Sequence, residues 1–283
     1  MQRIPRMRIV NNGQKRAQVE LSEKKGAVSI PAMKQQIQRI IEFFPGGKTI
    51  LREWYYASVR RRIRAIGVQD VFTKIYEENS WGSAESVSGP GSTIEYTKNI
   101  VEEIPRLVSR LGVERVLDAP CGDYNWFRLI ERGDDVSYIG GDIVEALVIS
   151  NQKEYGNDNT RFMHLDITKD KLPEADLWLC RDCLQHLPND EVFKVIDNFL
   201  NCDIRYLLTS SHIECKLNTD ILAGQGRLLN LELPPFSFCK PLLSIEDWIE
   251  GWPVRHLALW EKHQLSQSLI SNKALHQAVK RYR

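Results

Sequence analysis

Apolar positions recur along the chain with two different periods, and the change of period divides it. Met33, Ile37, Ile40, Ile41 and Phe44 share one helical face that Pro45-Gly46-Gly47 stops, and Leu51, Trp54, Tyr55, Val59 and Ile63 mark a second helix from about Thr49 to Ala65. Residues 1 to about 30 lack such periodicity and predict a loose leader. From Asn79 to Thr93 the chain is rich in turn residues and then enters a long helix. Ser92 and Glu95 have capping-box spacing, Ile94, Thr97, Val101, Ile104, Val108 and Leu111 follow at heptad-like intervals, and Pro105 is an expected kink point.

Beyond that helix, short apolar runs alternate with helical or mixed segments. Strands are predicted at Arg115–Ala119, Ser137–Asp142, Arg161–Asp166, Ala175–Arg181, Arg205–Ser210 and Leu257–Glu261, and the clearest intervening helix is Asp190–Leu200. This alternation predicts an α/β fold with a mostly parallel sheet wound on both faces. The organisation expected is a basic N-terminal part, residues 1–91, with helices and a lid segment, followed by one α/β domain over 92–283. Within that domain a polar, proline-containing insertion at about 211–240 is expected to bind a substrate, with His212, Arg227 and Asn230 as candidate contacts.

Composition narrows the class. No apolar run reaches the eighteen or so residues needed to cross a bilayer, and no secretory signal is evident, so a soluble cytoplasmic protein is expected. The six cysteines are read as reduced thiols, and Cys180-Arg-Asp-Cys183 has metal or redox spacing without a partner pair; no metal site is expected. Charge is uneven: residues 1–74 hold 16 Lys+Arg against 5 Asp+Glu, whereas 75–283 hold 22 against 32. The Arg60-Arg61-Arg62-Ile63-Arg64 run beside Trp54 and Tyr55 is either a solvated helix face or a contact for an anionic membrane surface or lipid-linked substrate; nucleic acid is the less favoured partner.

The strongest chemical signal is Arg115-Val116-Leu117-Asp118-Ala119-Pro120-Cys121-Gly122-Asp123, a strand that ends in an acid and a tight turn. In open α/β sheets ligands bind outside such strand ends. Only Gly122 of a dinucleotide G-x-G-x-x-G is present, and an acidic turn with Asp118 and Asp123 suits positive groups better than a pyrophosphate. Tyr138-Ile139-Gly140-Gly141-Asp142 follows, its carboxylate 24 residues beyond Asp118, and then His164-Leu165-Asp166-Ile167. The strand predicted before Asp182-Cys183-Leu184-Gln185-His186-Leu187-Pro188 also ends in a polar turn.

VLDAPCGD, YIGGDIV and HLDIT together resemble the first three motifs of class I S-adenosylmethionine-dependent methyltransferases, over roughly residues 92–210. The chain departs from that family's D-x-G-x-G-x-G: Pro120 and Tyr124 replace the first and third glycines. More loosely, the upstream WGSAESVSGPGST and the downstream GRLLNLELPPF resemble bacterial members associated with glycans or secondary metabolites. The resemblance implies a Rossmann-like fold and S-adenosylmethionine as cofactor. It implies that Asp142 accepts from both ribose hydroxyls, that Asp166 accepts from the adenine amine between Ile143 and Ile167, and that His164 at most orients Asp166. By position, Trp81 would shield the sulfonium and Ser92 or Thr93 would reach the methionine carboxylate at a helix N-terminus. Ala119, Cys121, Trp126 and Arg181 complete the expected cofactor set.

His186 is the leading candidate for a general base and Asp182 the second, with packing or capping as the plain alternative for His186. Methyl transfer to a hydroxyl of a sugar or other small molecule is therefore expected first. Nitrogen methylation of a small molecule or protein side chain is the nearest alternative, and a non-catalytic binding module on the same fold is the alternative from another class. The acceptor and the oligomeric state are left open by these residues.

Overall fold

The computed structural model describes residues 67–271, all within one unit, Val59–Arg283. The leader, the helices expected at 33–44 and 49–65, and the basic run at 60–64 lie outside the described residues.

Seven strands form one sheet: β1 Arg115–Asp118, β2 Ser137–Asp142, β3 Thr160–His164, β4 Leu177–Cys180, β5 Tyr206–Ser211, β6 Leu243–Glu246 and β7 His256–Glu261. Their order is β3-β2-β1-β4-β5-β7-β6, parallel except for β7, which runs antiparallel to both β5 and β6. The expected Rossmann-like, doubly wound, mostly parallel sheet is thus the architecture. Strands β2 and β4 flank β1, so the strand order reverses at β1 and leaves a crevice at its carboxyl end.

Side-chain alternation sorts the core into two layers. Val116, Tyr138, Leu177, Leu179, Leu208, Leu257 and Leu259 pack on one face with Ile100, Ile104, Leu107 and Val108 of α2, Ile94–Leu111. Their neighbours Leu117, Ile139, Trp178, Cys180, Leu207, Ala258 and Trp260 pack on the other with Val192, Val195, Ile196 and Phe199 of α4, Asn189–Asn201. Helix α3, Glu145–Tyr155, links β2 to β3, and α5, Lys262–Ser271, follows β7.

Two local expectations are corrected. Thr93, not Ser92, caps α2, its hydroxyl accepting from the Tyr96 N–H at 3.3 Å. The buried stripe of α2 includes Ile100 and Leu107, while Ile94 is 44% exposed, because 3.6 residues per turn carries the apolar face away from a strict heptad. The helix continues through Pro105. The helix α1, Val68–Glu77, the four-residue strand β6 and the helix α5 were not anticipated. No described helix is long and apolar enough to cross a membrane.

Candidate active site

A cavity opens at the carboxyl ends of β1, β2 and β4, with about 990 Å³ of space counted out to its mouth and open solvent included. Its floor is the turn after β1. Gly122 has φ +55°, and a Cβ there would lie 2.1 Å from the Ser88 hydroxyl, so both the backbone and the space demand glycine. Tyr124, which replaces the motif's last glycine, still takes a left-handed conformation, φ +59°. Its ring compensates by packing against Tyr138, Phe162, Tyr155 and Phe127 at centroid distances of 5.0–5.9 Å.

Four carboxylates line the cavity, and the three at or just beyond the ends of β1, β2 and β3 are each held differently. Asp118 is 2% exposed and accepts from the Tyr138 hydroxyl at 2.9 Å. Burial pushes its carboxyl up to about 8, against the opposing pull of that hydrogen bond and of the Arg181 charge. Asp142 accepts the Gly122 N–H at 3.0 Å on one oxygen and the Val144 N–H at 2.9 Å on the other. Burial raises its pKa in spite of these bonds. At Asp166 burial also pushes upward, but the Thr168 hydroxyl at 2.6 Å and the Lys169 ammonium at 3.0 Å carry it below the ordinary value. His164 does not orient Asp166; its Nε2 faces the Ile143 carbonyl at 3.0 Å and the Gln69 amide at 3.2 Å.

Asp123 was expected to face a cation, yet it fastens the covering segment. Its carboxylate accepts from the Ser86 hydroxyl at 3.0 Å, the Val87 N–H at 2.9 Å and the Ser88 hydroxyl at 3.2 Å. These donors use its lone pairs and lay residues 86–88 across the motif turn. Glu85 adds a second tie, accepting from the Ile94 N–H at 2.7 Å and the Asn125 amide at 2.8 Å. Trp81 reaches the cavity from the same segment, its ring 5.5 Å from His186 and 6.2 Å from Phe72 of α1.

The turn after β4 carries the remaining polar groups. Arg181 is buried and donates to Asp247 at 3.0 and 2.8 Å and to the Gly91 carbonyl at 2.6 Å. Arg255 joins Asp247 at 2.9 Å and also pairs with Asp182. Burial opposes ionisation of Asp182, but Arg255, Arg181 and His186 outweigh it and hold the carboxyl well below its usual range. Such a group cannot take up a proton near neutrality, which corrects the reading of Asp182 as a second base. His186 sits in a 3-10 turn, Leu184–His186; its Nδ1 donates to the Gln225 carbonyl at 3.0 Å. That bond orients the ring, and in the neutral form of His186 it places the lone pair on Nε2, 3.9 Å from the Asp182 carboxylate.

The structure thus brings together Trp81, Ser92, Asp118, Pro120, Cys121, Gly122, Trp126, Asp142, Ile143, Asp166, Ile167, Arg181, Asp182 and His186 around one cavity. Thr93 is occupied as the α2 cap, and Ala119 is fully buried behind the turn. His212, Arg227 and Asn230 are not among the lining residues, because each is taken up by other groups of the protein. His212 is buried against the backbone of Leu229. Arg227 donates to the Leu187 carbonyl at 2.8 Å and the Asn189 side chain at 2.6 Å, and Asn230 is matched to Asn218 through its backbone N–H at 2.9 Å and its carbonyl at 2.8 Å. The unanticipated lining comes chiefly from Val68, Phe72 and Tyr76 of α1 and from Ser88, Leu147, Thr168 and Leu187. Thr168 was in view as the last residue of HLDIT; α1 gave no signal beyond a short amphipathic pattern.

No protein-family model and no curated protein matches the chain. Among solved structures it is similar to magnesium protoporphyrin IX methyltransferase (ChlM) from Synechocystis PCC 6803 with bound SAM, at 19% identity and TM-score 0.48, covering 68% of this chain and 96% of that one. It is also similar to the methyltransferase domain of bacterial CtHen1, at 9% identity and TM-score 0.44 over 59% of this chain and 99% of that one. A third is the N,N-8-amino-8-demethyl-D-riboflavin dimethyltransferase RosA from Streptomyces davawensis, at 11% identity and TM-score 0.43 over 59% and 54% respectively.

Proposed function

We propose that this chain transfers a methyl group from S-adenosylmethionine to a hydroxyl of a small molecule. The observation that carries the reading is the buried Asp118 carboxylate at the end of β1. It lines the cavity beside a glycine turn that has no phosphate-binding run, so the site suits a cationic nucleoside. The residues present fit that cofactor. Asp118 would meet its positive end, Asp142 its ribose hydroxyls, and Ile143, Ile167 and Asp166 its adenine, while Trp81 and the 86–88 strap exclude water.

When bound, S-adenosylmethionine supplies a methyl carbon activated by a cationic sulfonium. Most of the protein's work is then alignment. His186 Nε2 is the group that would take the acceptor's proton, with Nδ1 steadied by Gln225 and the resulting imidazolium stabilised by the Asp182 carboxylate 3.9 Å away. Asp182 so acts through its fixed charge. An amine acceptor would draw far less on such a pair.

Calorimetric titration with S-adenosylmethionine and S-adenosylhomocysteine tests the reading. Saturable binding that Asp142→Ala weakens at least tenfold is expected. A folded wild-type protein that binds neither compound would overturn it.

A further inference from the structure

The cavity has two differently built ends. On the β2 and β3 side lie Asp142, Ile143, Asp166 and Ile167; on the β4 side lies His186, with β1 between them. The first end carries the polar anchors proposed for the cofactor. The second is walled by Phe72 of α1, Trp81 of the cover, and Cys183 and Leu187, which flank the turn that carries His186.

This wall offers few polar partners. The Asp182 carboxylate is taken by Arg255 and the Gln185 amide, and Nδ1 of His186 by the Gln225 carbonyl. Arg227 is committed to Leu187 and Asn189. Among the described residues the nearby charges also balance, Arg181 and Arg255 against Asp182 and Asp247. The α1 face is apolar at successive turns, yet none of its residues is fully buried, since part of that face borders the cavity instead of the core. Aromatic rings already stand in series there, with Phe72, Trp81 and His186 at successive centroid distances of 6.2 and 5.5 Å.

Resting on the methyl-transfer reading, we infer that the acceptor is a planar aromatic compound bearing a phenolic hydroxyl, and not a sugar. A sugar ring would bring several hydroxyls against this wall, and each one left unpaired weakens binding roughly tenfold or more. A flat apolar body buries its faces against Phe72, Trp81 and Leu187 and presents one hydroxyl to Nε2 of His186. The chemistry agrees. A phenol, with a pKa near 10 as in tyrosine, can pass its proton to an imidazole far more readily than an aliphatic alcohol can. In the step, the phenolic oxygen forms the new bond to the methyl carbon and the carbon–sulfur bond breaks with its electron pair going to sulfur. The hydroxyl proton goes to His186 Nε2 and then to solvent.

The test uses the full chain saturated with S-adenosylhomocysteine, titrated separately with 2-naphthol and with methyl α-D-glucopyranoside and followed by calorimetry. Saturable binding of 2-naphthol at least a hundredfold tighter than the glucoside is expected. Phe72→Ser should weaken 2-naphthol at least tenfold more than it weakens S-adenosylhomocysteine, whose retained binding also reports folding. Glucoside binding as tight as 2-naphthol, or no binding of 2-naphthol to the loaded protein, would overturn the inference. Failure of S-adenosylhomocysteine itself to bind would overturn the reading beneath it.

Discussion

Asp118→Asn is expected to make the ligand-free protein more stable while destroying its affinity for S-adenosylmethionine. Asp118 is 2% exposed at the end of β1, and Tyr138 is its hydrogen-bond donor. Burial moves its pKa from the ordinary 3.8 to about 8, so between these values the folded protein holds a proton that the unfolded chain has lost. The unfolded state then binds fewer protons, and stability falls as pH rises through that window. At about 1.4 kcal/mol per pH unit the full loss is roughly 6 kcal/mol once pH reaches 8, an upper bound that local relaxation and water entry reduce.

Asparagine keeps the shape and can still accept from Tyr138, but it carries no charge to desolvate. Urea unfolding of both proteins at pH 5, 7 and 9 is the assay. The advantage of the variant should be smallest at pH 5 and grow to at least about 2 kcal/mol at pH 9, with wild type losing more stability than the variant along the series. A purely structural aspartate would behave oppositely. If Asp118→Asn is less stable than wild type at pH 9, or if the difference does not change with pH, the account of this carboxylate is wrong. Cofactor binding should also release a proton near pH 7, because a cation beside Asp118 restores the ionised form. Calorimetry in buffers of different ionisation enthalpy reads that proton.

Other consequences follow from the same geometry. His186→Gln should lower kcat by about 10²–10⁴ with a phenolic acceptor and leave KM nearly unchanged, measured by methyl-ether formation; a loss below about threefold would point to a packing role. Asp247→Ala strands the buried Arg181 and Arg255 with Asp182 as their remaining carboxylate and should cost about 3–5 kcal/mol in urea unfolding. A cost under about 1 kcal/mol would show that water replaces it. Gly122→Ala meets both a positive φ and the Ser88 hydroxyl, and should cost about 1–2 kcal/mol for the backbone alone. Adding Ser88→Gly should recover the clash but not that strain, so full recovery of stability in the double variant would count against the conformational argument.

The fold was legible because both of its determinants are local. Period-2 alternation set which side of β1, β2, β4, β5 and β7 faced which helix layer, and polar strand ends marked the crevice. Six of the seven strands begin and end within two residues of the expected bounds, and the runs of β2, β4, β5 and β7 are buried on both faces and stop where water begins. Strand β6 escaped notice because four residues at the sheet edge, with Ser244 and Glu246 exposed, give too brief an alternation to register. Helix α1 escaped although its apolar face is as pronounced as that of α4: it is only ten residues long and follows the basic run directly.

The site was legible where one side chain has one partner class and illegible where polar residues have a choice. Asp118 and Asp142 stand at strand ends, where backbone geometry alone brings them to the cavity. Asp123 is only five residues beyond Asp118, yet three donors from residues 86–88 turn it into a fastener, and nothing local foretells donors 35–37 positions away. Likewise His212, Arg227 and Asn230 looked like acceptor contacts because they are polar in a proline-containing segment. That segment has little regular secondary structure, and its backbone groups must still be paired when buried. Polar side chains are the means: Asn218 alone donates to the Asn230, Leu233 and Pro234 carbonyls. A long irregular segment packed on a sheet therefore consumes its polar residues within itself or, like Arg227, on the turn and helix beside it. The residues left to meet a ligand beside His186 are the aromatic and aliphatic ones, which is the physical reason that an apolar acceptor suits this chain.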